Sequence, residues 1–224
     1  MLCSYYSRGE DSSSLFDSLK IAKSPSYKKH LNQYNVIFIN MSLEFNSARY
    51  DVNQMISSVT SSIVKELKEA YPQVVFNSPD KLYESLDDVF SDSKVPFVFI
   101  IDEWDRIMRE KKEDTQSLKL YLEWLESIFK DQAYIALAYM TGILPIKKYG
   151  SHSALNMFTE YSMTEPLNLG QYIGFTENEV KEICKDHDVA FNQMQQWYDG
   201  YSFIDVPHIY NPNSVVKSIS RKRF

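Results

Sequence analysis

The chain has 224 residues, 44% of them hydrophobic and 24% charged, with a net charge of −6 and a pI near 5.3. That is enough for one large domain, or one domain with a small appendage, and the acidic balance argues against a broad electrostatic nucleic-acid surface. No secretory signal or apolar run of about 18 residues is present, and Cys3, Cys184 and the four histidines lack disulfide-framework or metal-ligand spacing, which fits a reducing, cytoplasmic setting without a membrane span.

Residues 1–6 are apolar and begin without a cap or turn, as the middle of a helix does. Asp11-Ser12-Ser13-Ser14 offers caps for a short helix carrying Leu15, Phe16 and Leu19, and Ser24-Pro25 opens another through His30. Residues 36–40 predict a strand. From Asp51, the positions Val52, Ile56, Val59, Ile63, Leu67 and Ala70 recur at helical spacing until Pro72 ends the pattern. Asn77-Ser78-Pro79 starts a further helix with Leu82, Leu86, Val89 and Phe90 on one face.

Residues 97–103 form an apolar strand that runs into acids, and its continuous pattern predicts burial on both faces. After a polar link over 109–115, Leu118, Leu122, Leu125 and Phe129 make another helical stripe, joined by Tyr121 and Ile128. Residues 134–140 read as a third buried strand ending in Thr141-Gly142, and 158–163 as a weaker strand. Strands alternating with helices indicate right-handed crossovers and a mostly parallel sheet. Beyond Gly174 the pattern is helical only. Thr176 caps 177–188, and helices over 191–198 and 214–220 follow, forming a small subdomain. The many Tyr and Phe residues lie in these core-like patterns rather than interleaved with Arg or Lys, so they read as packing rather than base stacking.

The chemistry-bearing stretch is Phe97-Val98-Phe99-Ile100-Ile101-Asp102-Glu103-Trp104-Asp105. In open α/β sheets chemistry sits at the carboxyl ends of such strands. The stretch has the form of a Walker B motif. In that motif the first carboxylate holds Mg²⁺ through water and the second orients or deprotonates the water attacking a γ-phosphate. The blander reading makes these acids the first turn of a helix, offsetting its dipole. Asp105 suits that second reading best, as a cap of 106–108 or a partner of a nearby base. Thr141 ends the next strand, where a hydroxyl can sense a γ-phosphate or simply bond to backbone. Lys147 and Lys148 could approach phosphates from the following loop or form a solvated pair, and 221–223 reads as a frayed basic tail. None of the six glycines, Gly9, Gly142, Gly150, Gly170, Gly174 and Gly200, is followed by Lys. The chain therefore contains no G-x-x-x-x-G-K-[ST] phosphate cradle. A metal-dependent nuclease built on Asp102, Glu103 and Asp105 would need a catalytic Lys on an adjacent strand, and none is evident.

Five motifs in order, Phe99-Ile100-Ile101-Asp102-Glu103-Trp104-Asp105, Met140-Thr141-Gly142-Ile143-Leu144-Pro145-Ile146, Gly174-Phe175-Thr176-Glu177, Trp197-Tyr198-Asp199-Gly200-Tyr201-Ser202-Phe203 and Tyr210-Asn211-Pro212, resemble the bacterial AAA-ATPase-like family. The resemblance implies a P-loop NTPase-like three-layer α/β/α core over 1–173 and part of a helical lid over 174–224. It implies Mg²⁺ and ATP as cofactors, with Asp102 as the metal residue, Glu103 as the base and Thr141 as a sensor-like position. It also implies a Gly-Lys-Thr or Gly-Lys-Ser loop and its strand ahead of Met1, and a PD-(D/E)XK nuclease-like region beyond Phe224. On that reading the chain is incomplete and holds nucleotide weakly. Its central strand is missing, and the unpaired sheet edge invites self-association or a protein partner. The alternative is a non-catalytic interaction or regulatory module on the same fold.

Overall fold

The computed structural model describes residues 1–145, 155–203 and 205–222. It divides into two compact units, Met1–Phe158 and Thr159–Phe224, whereas the sequence motifs suggest a boundary near Gly174. Among the described residues no helix is long and apolar enough to cross a membrane.

In the first unit the three strong apolar runs become β1 (Asn35–Asn40), β2 (Phe97–Asp102) and β3 (Ile135–Met140). They pair in parallel in the order β1-β2-β3. Ahead of them lie the short helices α1 (Leu2–Tyr6), α2 (Ser13–Phe16) and α3 (Tyr27–His30), whose Tyr5, Phe16, Tyr27 and Leu31 make a small core of their own. The crossovers carry α4 (Met41–Ser47), α5 (Val52–Ala70), α6 (Leu82–Ser93), α7 (Arg106–Glu110) and α8 (Thr115–Phe129). These five helices share one core with Ile37, Ile39, Phe97, Phe99 and Ile101, the residues of one sheet face.

Burial separates the strands as their position demands. β2 is central, and all five of its apolar residues are buried. β3, expected to be equally buried, is not. No described strand pairs with its outer edge, and Leu137 and Tyr139 are 38% and 45% exposed.

Local chemistry moves several other boundaries. α4 had no counterpart in the sequence patterns. Asn40 ends β1 and caps this helix, its side chain accepting the Leu43 N–H at 3.0 Å, so strand and helix meet without a loop signal. α6 begins at Leu82 rather than beside Pro79, because Lys81 N–H first closes a turn onto Ser78 O. On α5 the buried stripe is rotated to include Met55 and Val64 and leaves Ala70 exposed. The strand expected over 158–163 is absent, because Ser162 and Glu165 close a turn on each other there.

The second unit is not helical only. Its helices α9 (Glu177–Asp186), α10 (Phe191–Tyr198) and α11 (Pro212–Arg221) accompany β4 (Phe175–Thr176), β5 (Asp199–Tyr201) and β6 (Ile209–Tyr210), an antiparallel sheet in the order β4-β6-β5. Strands of two or three residues are too short to show an alternating pattern. Thr176 caps α9 as the sequence suggests, and Glu179 completes a reciprocal capping box with it. Val180, Cys184, Met194, Tyr210 and Val215 fill the core. Gly174 is required by close approach, since a Cβ there would lie 2.5 Å from Ile209 Cγ2 and 2.7 Å from Tyr210 O.

Candidate functional site

Parallel strands bring their carboxyl ends to one rim, and register decides which side chains meet there. Asn40 stands beside Asp102, and Ile101 beside Met140, which puts Thr141 next to Asp102. Thr141 Oγ1 donates to Asp102 Oδ1 at 2.6 Å, while Asn40 Nδ2 approaches Asp102 Oδ2 at 3.5 Å, the outer limit of a hydrogen bond. Thr141 N–H reaches Ile101 O at 2.9 Å and Trp104 N–H reaches Thr141 O at 3.0 Å, so the ladder holds both residues in place. Sequence reasoning paired Asp102 with Thr141 as neighbours at the rim but missed Asn40. Its one signal, a polar residue closing an apolar strand, also describes an ordinary helix cap.

Glu103 leaves the strand. Its φ of 53° is left-handed, a conformation that costs a non-glycine residue about 1–2 kcal/mol, and it turns the chain from β2 into α7. Arg106 N–H then donates to Glu103 O at 2.9 Å. The Glu103 carboxylate is not free: Arg109 Nη2 donates to its Oε2 at 2.7 Å, with the glutamate side chain 43% exposed. Arg109, which the sequence places at the start of a polar link, is thus the residue in direct contact with the candidate base.

Asp105 is fully buried. Its Oδ2 accepts the backbone N–H groups of Ile143 at 3.1 Å and Leu144 at 2.9 Å, and lies 3.2 Å from Arg109 Nε in an ion-pair contact that lacks hydrogen-bond alignment. It ties the segment after Thr141 to the start of α7. Of its two sequence-based readings, the pairing with a nearby base is the one present. Tyr121 lies below and donates its hydroxyl to Trp104 O at 2.7 Å. Burial, and then the Asp105 charge, raise the Tyr121 pKa, so it stays a neutral donor.

Gly142 packs against the same corner, where an added Cβ would stand 2.7 Å from the Trp104 ring and 2.8 Å from Asp105 Oδ1. Gly142→Ala is therefore expected to destabilise the unit by about 1–3 kcal/mol, the usual cost of overpacking. A thermal melt checks this, and an unchanged midpoint would show that the corner can open freely.

The oxygens of Asp102, Thr141 and Asn40 are hard donors that suit Mg²⁺, an ion that keeps several waters and uses only one or two carboxylates. Among the described residues no group of three or more His, Cys, Asp or Glu side chains could hold a metal alone. The remaining ligands would be water and phosphate. The nucleotide fits less well, because no glycine in the chain precedes a lysine that could cradle its phosphates. Lys147 and Lys148 lie outside the described residues.

A family model described as a predicted AAA-ATPase matches residues 1–151. No curated protein and no solved structure matches the chain.

Proposed function

The chain belongs to the AAA-ATPase-like family, and we propose that its first unit is an ATPase core working at the rim of the parallel sheet. The observation that carries this reading is the 2.6 Å bond from Thr141 to Asp102, which joins two adjacent strand ends at the place where such sheets do chemistry. Asp102 would hold Mg²⁺, with Thr141 fixing the orientation of its carboxylate. Glu103 would take a proton from the attacking water once it exchanges its Arg109 bond for that water. When bound, Mg²⁺ supplies the charge that neutralises the phosphate oxygens.

A second reading, a non-catalytic interaction module, draws its support from the same Glu103–Arg109 bond, which occupies the base. The two readings separate once the phosphates are held. The 224 residues carry no phosphate cradle, so calorimetry with Mg²⁺-ATP is expected to give no saturable heat at micromolar nucleotide. A tight one-to-one isotherm would mean that another part of this chain does the cradling. Joined to a strand and Gly-Lys-Thr loop ahead of Met1, the ATPase reading expects binding with hydrolysis. The interaction-module reading expects no turnover.

A further inference from the structure

The outer edge of β1 carries a partly built strand site. Asn35 N–H donates to Pro96 O at 3.1 Å on the β2 side, so by strand alternation residues 36 and 38 turn their backbone groups outward. At the start of that edge the chain has already laid a strand. Tyr34 N–H donates to Tyr6 O at 2.9 Å and Arg8 N–H to Tyr34 O at 3.0 Å, with Ser7 and Tyr34 in a parallel bridge. Past Arg8 the segment departs, and no described strand pairs with Val36 or Phe38 along the rest of the edge.

A groove of about 490 Å³ follows this edge, walled by Ile63 and Leu67 of α5, with Phe38 55% exposed beside it. Glu44, Glu66 and Arg8, the last at the start of the edge, are the charged residues lining the groove, so its lining is net negative, and the two glutamate side chains have no ion pair or hydrogen bond among the described residues.

We propose that the outer edge of β1 takes an extended peptide of a protein partner, which adds a strand beyond Arg8 and presents basic side chains to Glu44 and Glu66. Main-chain hydrogen bonds to Val36 and Phe38 supply the pairing, and the apolar wall supplies contact area. The two unpaired carboxylates set the sign of the partner. A second copy of the chain joined through its own open edge does not meet that requirement, because Ile135–Met140 carries no charge. Neither Asp102 nor Glu103 lines the groove, and the pairing needs no nucleotide.

The test uses the whole chain and a fluorescein-labelled peptide alternating valine and lysine. Amide hydrogen exchange should slow at Val36 and Phe38 when the peptide saturates. The same peptide with glutamate for lysine, or with alternate amides N-methylated, should not bind. A Glu44→Lys/Glu66→Lys variant, Glu66 being exposed and Glu44 partly so, should bind about tenfold more weakly while keeping its circular dichroism. Four outcomes would overturn the proposal: no binding, equal binding of the glutamate peptide, binding that leaves Val36 and Phe38 unprotected, or protection that grows with protein concentration alone.

Discussion

Asp105→Ala is expected to lower the stability of the first unit by about 2–4 kcal/mol, chiefly the cost of leaving two backbone donors without their acceptor. The substitution leaves the Ile143 and Leu144 N–H groups without their acceptor and takes away one of the two carboxylates beside Arg109, which keeps Glu103. Each buried backbone donor left unmade costs about 1–3 kcal/mol unless water reaches it. Ile143 is exposed enough to recover part of that, which keeps the total within the range. Asp105→Asn should lose less, since an amide oxygen still accepts from the loop. Urea unfolding with an unchanged m-value measures the difference, and amide exchange at Ile143 and Leu144 should accelerate in the alanine variant. A loss below about 1 kcal/mol would mean that Asp105 does not anchor the 141–144 segment.

Glu103→Gln, made in the chain joined to a Gly-Lys-Thr loop and its strand, is expected to cut turnover by about 10²–10⁴ with nucleotide affinity retained. The amide keeps the size of the side chain but cannot take the proton of the attacking water. Asp102→Asn in the same protein should instead raise the Mg²⁺ concentration needed for half-maximal rate, because it removes a charged ligand. Phosphate release at saturating ATP reads the first effect and a magnesium titration the second. Turnover equal to that of the parent would remove Glu103 from the chemistry. Arg109→Ala offers a further check: if the 2.7 Å bond holds Glu103 away from its water, freeing the carboxylate should leave turnover intact or raise it.

Local patterning carried a long way in this chain because its determinants are local. The uninterrupted apolar run of β2 announced a strand buried on both faces, and the helical spacing of Val52, Val59 and Leu67 announced α5. Thr176 announced the start of α9 as its cap. Asp102, Glu103 and Thr141 could be marked as rim residues for the same reason, since each closes or follows an apolar strand.

The tertiary structure decided what depends on partners distant in the chain. Asn40 reaches Asp102 only through the parallel register of β1 and β2, and Asp105 meets Ile143 and Leu144 only because β3 ends beside β2. β3 has as apolar a sequence as a buried strand, yet Leu137 and Tyr139 stay exposed, because burial depends on which neighbours a strand finds. The engagement of Glu103 by Arg109 required both the left-handed turn at Glu103 and the first turns of α7. Propensity and periodicity are properties of neighbouring residues, so the sequence carried the long elements and the rim, but not α4 or the short strands β4, β5 and β6. Hydrogen bonds across a sheet join residues dozens of positions apart, so the site's internal bonding emerged only from the fold.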